Sequence, residues 1–384
     1  MGKRLIDLKN RVRLRYVLLF TLLLFLVLEI PVRRLERRPD LVLRNEGRSH
    51  MALPYMYRQM ELTKFRRVIA FLGASETQGV VNTTAETTYP VDIEKLLAAR
   101  GVATHCFNLA TIGNGLGDNL ALAVEAMRRG ADLLVFCLHY KLFSNSGALA
   151  FASTYRDSLY YLRHRPDFSQ LQHRYFLISN RDYMEIRFSK FLESFWAFYR
   201  ENQLISYLIA GDLEPEPLTA QARKWLFKGA GPAPRKIATQ IEMLGTPEKR
   251  NRDNLWQLQP AEYHQDNGKA YEKISLDPQD VHFKIFELIN ELSRASKVKI
   301  LIFLTPLNRG AVNQFKYFDW NKHAKFVEMT SQTVLANDNY FLDLTDAVEN
   351  RCFTDGDHLN MNGHRQLAEA LVPTIARILA ESTP

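Results

Sequence analysis

Apolar and polar positions along this chain follow two periods, and the switches between them mark its elements. "RVIAFLG" (67–73) is a short β-branched and aromatic run closed by a glycine, which predicts a buried strand. In "TTYPVDIEKLLAARG" the apolar residues Val91, Ile93, Leu96 and Leu97 fall at helical spacing and Gly101 supplies a stop, so a helix is expected. "ATHCFNLA" predicts a second strand, "GDNLALAVEAMRRG" a helix closed by Gly130, and "DLLVFCLHY" a third strand. The rhythm lapses over 149–276 and resumes at "DPQDVHFKIFELINELSRA". There Asp277 before Pro278 suits a helix start, and Val281, Ile285, Phe286, Ile289 and Leu292 share a face. "KVKILIFLTPLN" and "NYFLDLTD" predict two more strands, and the second half of "NRCFTDGDHLNMNGHRQLAEALVPTIARIL" is an amphipathic helix. Strands alternating with helices predict an α/β fold with a doubly wound parallel sheet. Function in such sheets gathers at the loops leaving the carboxyl ends of strands, which here begin at Gly73, Ala110 and near His139.

The lapse divides the domain into halves at 65–148 and 277–384. Residues 149–276 are aromatic-rich ("FLESFWAFYRENQLISYLI") and later rich in proline and glycine, which predicts a mainly helical insertion, expected to cap the sheet. Its aromatics read as packing rather than ligand binding.

One stretch breaks the globular pattern. "YVLLFTLLLFLVLEIPV" (16–32) is apolar except for Glu29 and flanked by basic residues, so a transmembrane anchor is expected. Residues 1–15 then form a basic cytoplasmic tail, 33–64 a tether or a first helix that lifts the domain off the bilayer, and the remainder an extracytoplasmic domain carried by a single-pass inner or plasma membrane protein. No small-residue cleavage signature follows, which favours an uncleaved anchor over a removable signal peptide. Part of the net charge of +8 belongs to this segment. The remaining charges are mixed in sign without an aromatic-interleaved basic stripe, so nucleic acid is not an expected partner. Cys106, Cys137 and Cys352 stand singly without metal-ligand spacing and read as core residues, and no metal or other cofactor is expected.

Three loops hold the candidate chemistry. Ser75, in "GASETQG", follows a strand and a glycine, where a hydroxyl can project above the sheet edge or simply cap a helix. In "DGDHLNMNGH", Asp355 and His358 are spaced so that the carboxylate can orient the imidazole, and such a base is what makes a hydroxyl nucleophilic at neutral pH. Asp357 reads as a helix-side or solvent carboxylate and His364 as a position one turn into the final helix; neither is given a role. In "NLATIGNG", Gly113 could bring its N–H close to a substrate or serve only as a flexible turn.

Together these segments resemble the SGNH hydrolase (GDSL-like) superfamily over most of the chain after the expected anchor. "GASETQG" is similar to that family's first block, "NLATIG" to its second and "DGDH" to its last. The resemblance implies a three-layer α/β/α fold and a Ser75–His358–Asp355 triad, with an oxyanion hole formed by the N–H groups of Ser75 and Gly113. Two positions depart from the pattern. Ala74 stands where an aspartate is common, and "LHYKLFSNS" replaces the third block's glycine-x-asparagine-aspartate, leaving His139, Lys141 and Asn145 as candidates for the missing donor. Loss of such a donor costs ~3 kcal/mol of transition-state stabilisation.

With its anchor and insertion, the chain looks like membrane-tethered members such as alginate-type O-acetyltransferases and the teichoic-acid D-alanyl transfer protein. This implies a serine acyltransferase that modifies a surface or exported polysaccharide, supplied by a multi-spanning membrane acyltransferase. An anchored esterase or lipase is the alternative. A third reading is a catalytically weak scaffold that binds an envelope polymer or assembly partner.

Overall fold

Five strands pair in parallel among the described residues: β1 (Arg67–Leu72), β2 (Thr104–Asn108), β3 (Leu133–Leu138), β4 (Lys299–Leu304) and β5 (Tyr340–Asp343). Their order is β2–β1–β3–β4–β5. The structure is a computed structural model and describes residues 2–37, 53–63, 66–79, 87–144, 180–201, 253–258, 269 and 271–381. Asn145 and most of the predicted insertion lie outside them.

Both faces of the sheet are covered, which is why β1, β3 and β4 are almost wholly apolar. Val68, Ala70 and Leu72 point to one side, packing with α2 (Leu53–Leu62), α5 (Leu116–Arg128), α8 (Val281–Ser296) and α10 (Trp320–Leu335). Ile69 and Phe71 point to the other, against α4 (Tyr89–Ala99) and α11 (Met361–Glu381). This is the three-layer α/β arrangement, with single turns α3 (Ser75–Gln78) and α9 (Arg309–Val312) at strand exits. The chain winds outward both ways from β1 and β3, so the loops after these strands part and leave a crevice at their carboxyl ends. Ser75 and His139 open those two loops.

Several boundaries differ from expectation. Asp280 rather than Asp277 caps α8, accepting from the His282 N–H at 2.9 Å. Part of the expected tether is core: in α2, Tyr55, Met56 and Met60 are fully buried, because an amphipathic turn can seat its apolar face against α5.

The run 16–32 lies inside one long helix, α1 (Gly2–Leu35). Among the described residues no helix is long and apolar enough to cross a membrane.

Glu29, the run's one acid, also has a task within the protein. It accepts from the N–H groups of Ala197 and Phe198 at 2.7 and 3.0 Å, capping α7 (Ala197–Arg200). The Phe25 ring meets Trp196 edge-on at 4.9 Å. The described insertion helices, α6 (Asn180–Phe195) and α7, therefore dock on α1 rather than capping the sheet. Their attachment lies at the C-terminal end of α5: Arg200 pairs with Glu36, Gln59 of α2 donates to the Glu36 carbonyl at 3.0 Å, and Arg129 pairs with Glu61. Burial would raise the Glu125 carboxyl, but Arg128, Lys190 of α6 and Arg129 outweigh it and hold the group below its ordinary value.

Candidate active site

Gly73 ends β1 with φ +151°, and a Cβ there would lie 2.2 Å from the Thr77 hydroxyl, so the turn into α3 has room only for glycine. Three buried asparagines clamp this turn. Asn119 accepts from the Gly73 N–H at 2.8 Å, Asn114 donates to the Gly73 carbonyl at 3.1 Å, and Asn108 donates to the Thr77 carbonyl at 2.8 Å. Ser75 is the first residue of α3, and the cap position is Ala74, which has no side-chain oxygen. The serine hydroxyl is thereby free of capping and turned to a histidine.

That histidine is His358: its Nε2 lies 2.9 Å from Ser75 Oγ, and its Nδ1 lies 2.8 Å from Asp355 Oδ2. The loop carrying both is held by the same carboxylate. Asp355 Oδ1 accepts from the N–H groups of Asp357 and His358 at 3.0 and 2.8 Å, leaving Oδ2 for the imidazole. Asn308 donates to the Asp355 carbonyl at 3.1 Å, and the Gly356 carbonyl accepts from the Asn308 N–H at 2.9 Å. Gly356 presses on the Phe315 ring, with no space for a side chain between.

Gly113 occupies a turn with φ +77° and open space where a Cβ would be. Its neighbour Asn114 ties this turn to the one before Ser75, so the two stand side by side at the crevice. His364, in contrast, is structural: buried on α11, it accepts from the Tyr89 N–H at 3.2 Å. Burial, then the nearby His358, pushes its imidazole down to about 3 and keeps it neutral.

Asp357 is not the solvent or helix-side carboxylate expected. It is buried, and its Oδ2 lies 2.7 Å from His139 Nε2 and 2.5 Å from Lys141 Nζ. Its Oδ1 is 3.3 Å from His358 Nδ1. Lys141 in turn sits over the Tyr271 ring, 5.2 Å from its centre. Thus two of the three candidates for the missing third-block donor, His139 and Lys141, are engaged with Asp357; the third, Asn145, lies outside the described residues. Two three-donor clusters, Glu76–His139–Asp357 and Asp355–Asp357–His358, bring their ligand atoms within 4.8 Å of one another. Asp357 belongs to both, and the cation beside it is the Lys141 ammonium.

These charges set the base. Burial would lower the His358 imidazole, but Asp355 and Asp357 outweigh it and raise it well above its ordinary value. Burial would likewise raise the Asp357 carboxyl, yet Lys141, His358 and His139 hold it well below. His358 must be neutral to take the serine proton, so activity is expected to fall as pH drops through its raised value. Its ionisation contributes stability that is full below about 6.5 and is lost as pH rises through the folded value. Asp357→Asn removes one of the two anions, so the acid limb of kcat/KM should move to lower pH. A pH–rate profile checks this, and an unmoved limb would mean that Asp357 does not act on His358.

The asparagine clamp and the Asp357–Lys141 pair were not anticipated from the chain. Asn119 left a faint signal, being a weak helix former placed early in a helix. Asp357 left none, since a carboxylate two residues from another reads as solvated until its burial is known.

No family model and no curated protein matches this chain. Among solved structures, it is similar to a carbohydrate acetylesterase family member from Sinorhizobium meliloti at 12% identity and a TM-score of 0.34. That match covers 82% of this chain and 99% of the other. A likeness of this size carries no argument, so the functional reading rests on the geometry.

Proposed function

We propose that this protein is a serine esterase-type enzyme that cleaves acyl esters through an acyl-serine intermediate. The observation that carries the reading is the hydrogen-bonded line from Asp355 through His358 to Ser75 Oγ. In the first half-reaction Ser75 Oγ attacks the ester carbonyl while His358 Nε2 takes its proton and Asp355 steadies the imidazolium. The N–H groups of Ser75 and Gly113 hold the tetrahedral oxyanion, and collapse expels the alcohol, protonated by His358. In the second, water attacks the acyl-serine with His358 again as base, releasing acid and free Ser75.

Water is taken as the resolving nucleophile because Ser75 and His358 are only part-buried and, among the described residues, the insertion helices stand at the other end of the domain. Transfer to a glycan hydroxyl, with a multi-spanning membrane acyltransferase as donor, is the finer version of the same chemistry. It requires a surface that excludes water and seats the sugar.

A fluorophosphonate probe tests the common step. Wild type should become labelled at one site, and Ser75→Ala should lose the label together with hydrolysis of a short acyl ester, by about 10⁴- to 10⁶-fold in kcat. Equal labelling of the variant would overturn the reading. Adding a soluble glycan acceptor then separates the fates of the acyl group: free acid alone means esterase, acylated sugar means transferase.

A further inference from the structure

Helix α6 wears its apolar stripe on the wrong side for a globular protein. Ile186 is buried and Tyr183, Ser189, Lys190 and Glu193 are half-buried, all on the side facing the protein. The opposite face presents Met184, Phe188, Phe191 and Phe195, which are 59%, 63%, 61% and 51% exposed. At ~100° per residue these four cluster within about 60° of the circumference. Single exposed apolar residues are ordinary, but a contiguous row of large ones marks a contact surface.

The row is joined to a larger apolar surface on α1. Arg33 of α1 donates to the carbonyl of Phe195, the last residue of the row, at 2.8 Å, and Glu29 caps α7 directly after it. Along α1 the exposed apolar positions run around the helix from Leu22 at one edge, through Leu26, Ile30, Tyr16 and Phe20, to Val17 at the other, an arc of about 220° at ~100° per residue. The remaining sector, with Phe25, Glu29 and Val32, is the side turned to α7. A protein groove takes up a stripe of roughly 100°. A surface twice as wide suits a medium that surrounds the helix, which is lipid. Basic residues border both stretches: Arg34 and Arg187 are exposed there, beside Arg33 and Arg181, which pair with Glu29 and Glu185 of their own helices, and Lys9, Arg11, Arg13 and Arg15 precede the run on α1. Cations at the margin of an apolar helix face match anionic headgroups.

We propose that α1 and α6 together form one lipid-binding surface, with the Met184–Phe188–Phe191–Phe195 row as a second contact that fixes how the domain sits on a bilayer. One contact leaves a tethered domain free to swing; a second, on a different helix, sets its orientation. The attachment to the domain is at the C-terminal end of α5, whereas the N-terminal end of α5 holds the Ser75 turn through Asn119. The two are separated by the length of α5, roughly 20 Å at ~1.5 Å per residue. The catalytic edge is thus held off the lipid. The inference rests on reading 16–32 as lipid-contacting and is independent of the esterase assignment.

The three native cysteines are buried, so introduced cysteines can be labelled selectively. The full chain carrying an environment-sensitive nitrobenzoxadiazole dye at Leu23→Cys, Phe188→Cys, Phe191→Cys or Ile112→Cys is reconstituted into phosphatidylcholine–phosphatidylglycerol vesicles with doxyl-labelled lipid. Dyes at 23, 188 and 191 should shift to the blue and be quenched, while the dye at 112, beside the catalytic crevice, should do neither. Quenching at 23 without quenching at 188 and 191 would overturn the second contact. A blue shift at 188 and 191 without lipid quenching would mean that protein covers the row, and also overturns it. Quenching at 112 would overturn the orientation. Fluorophosphonate labelling of Ser75 in the same samples bears on the catalytic reading alone, so the two can fail separately.

Discussion

Asp355→Asn is expected to lower kcat by about 10⁴-fold while leaving the loop in place. The two oxygens of Asp355 have different partners, and the amide can replace one but not the other. As an acceptor, the asparagine oxygen still takes the N–H groups of Asp357 and His358, which now reach Oδ1 at 3.0 and 2.8 Å. The amide NH₂ is left facing His358 Nδ1, where it can only donate. Nδ1 must then be the unprotonated nitrogen and Nε2 must carry the proton, which leaves no lone pair toward Ser75 Oγ. The variant should keep its circular dichroism and thermal midpoint close to wild type and lose turnover. A loss of less than about tenfold would show that another group orients the imidazole, with Asp357 the first to suspect.

Lys141→Met is expected to cost about 3–5 kcal/mol of stability, toward the lower end because the lysine side chain is 23% exposed. Asp357 is only 3% exposed, and among the described residues Lys141 is its one always-charged partner. Burial would lower the lysine, but Asp357 outweighs this and raises it, so the two persist as an ion pair. Removing the lysine leaves a buried carboxylate facing two imidazoles. Urea unfolding at pH 7 should show the midpoint falling with the slope unchanged. Adding Asp357→Leu to Lys141→Met should recover much of the loss, because a buried ion pair replaced by apolar groups is often neutral. Asp357 ionises more readily folded than unfolded, so its contribution is full above about 3.9 and is lost as pH falls through the depressed folded value. The difference between wild type and Lys141→Met should therefore shrink under acid conditions. A constant difference from neutral to acid would exclude the ion pair as its origin.

The candidate site was legible in part because its chemistry is sequence-local. Asp355 and His358 are three residues apart, and the loop between them is too short to point them in unrelated directions. Ser75 follows a strand that any helix–strand reading finds, and the strand's apolar run ends at the glycine that makes the turn. Illegible were the residues whose role depends on burial. Asn108 ends a strand, Asn114 lies in a loop and Asn119 is on a helix, with no shared pattern, yet each spends its amide on the turn bearing Ser75. Asp357 and Lys141 are 216 residues apart, and no local pattern brings them together. The partner surfaces of 53–62 and 180–201 were illegible in the same way: amphipathic segments declare that they need a partner surface, not which one.

By itself the sequence determined the alternation of strands and helices, the switch between the two periods and the three loops from which Ser75, Gly113, Asp355 and His358 project. Those depend on backbone periodicity and short spacings, which a chain carries before it folds. Only the tertiary structure decided that Ala74, not Ser75, occupies the cap position, that Asp357 is buried between His139 and Lys141, and that Arg33 of α1 meets the end of α6 at Phe195. Each of these depends on which distant segments exclude water from the same place, and that is a property of the packed molecule alone.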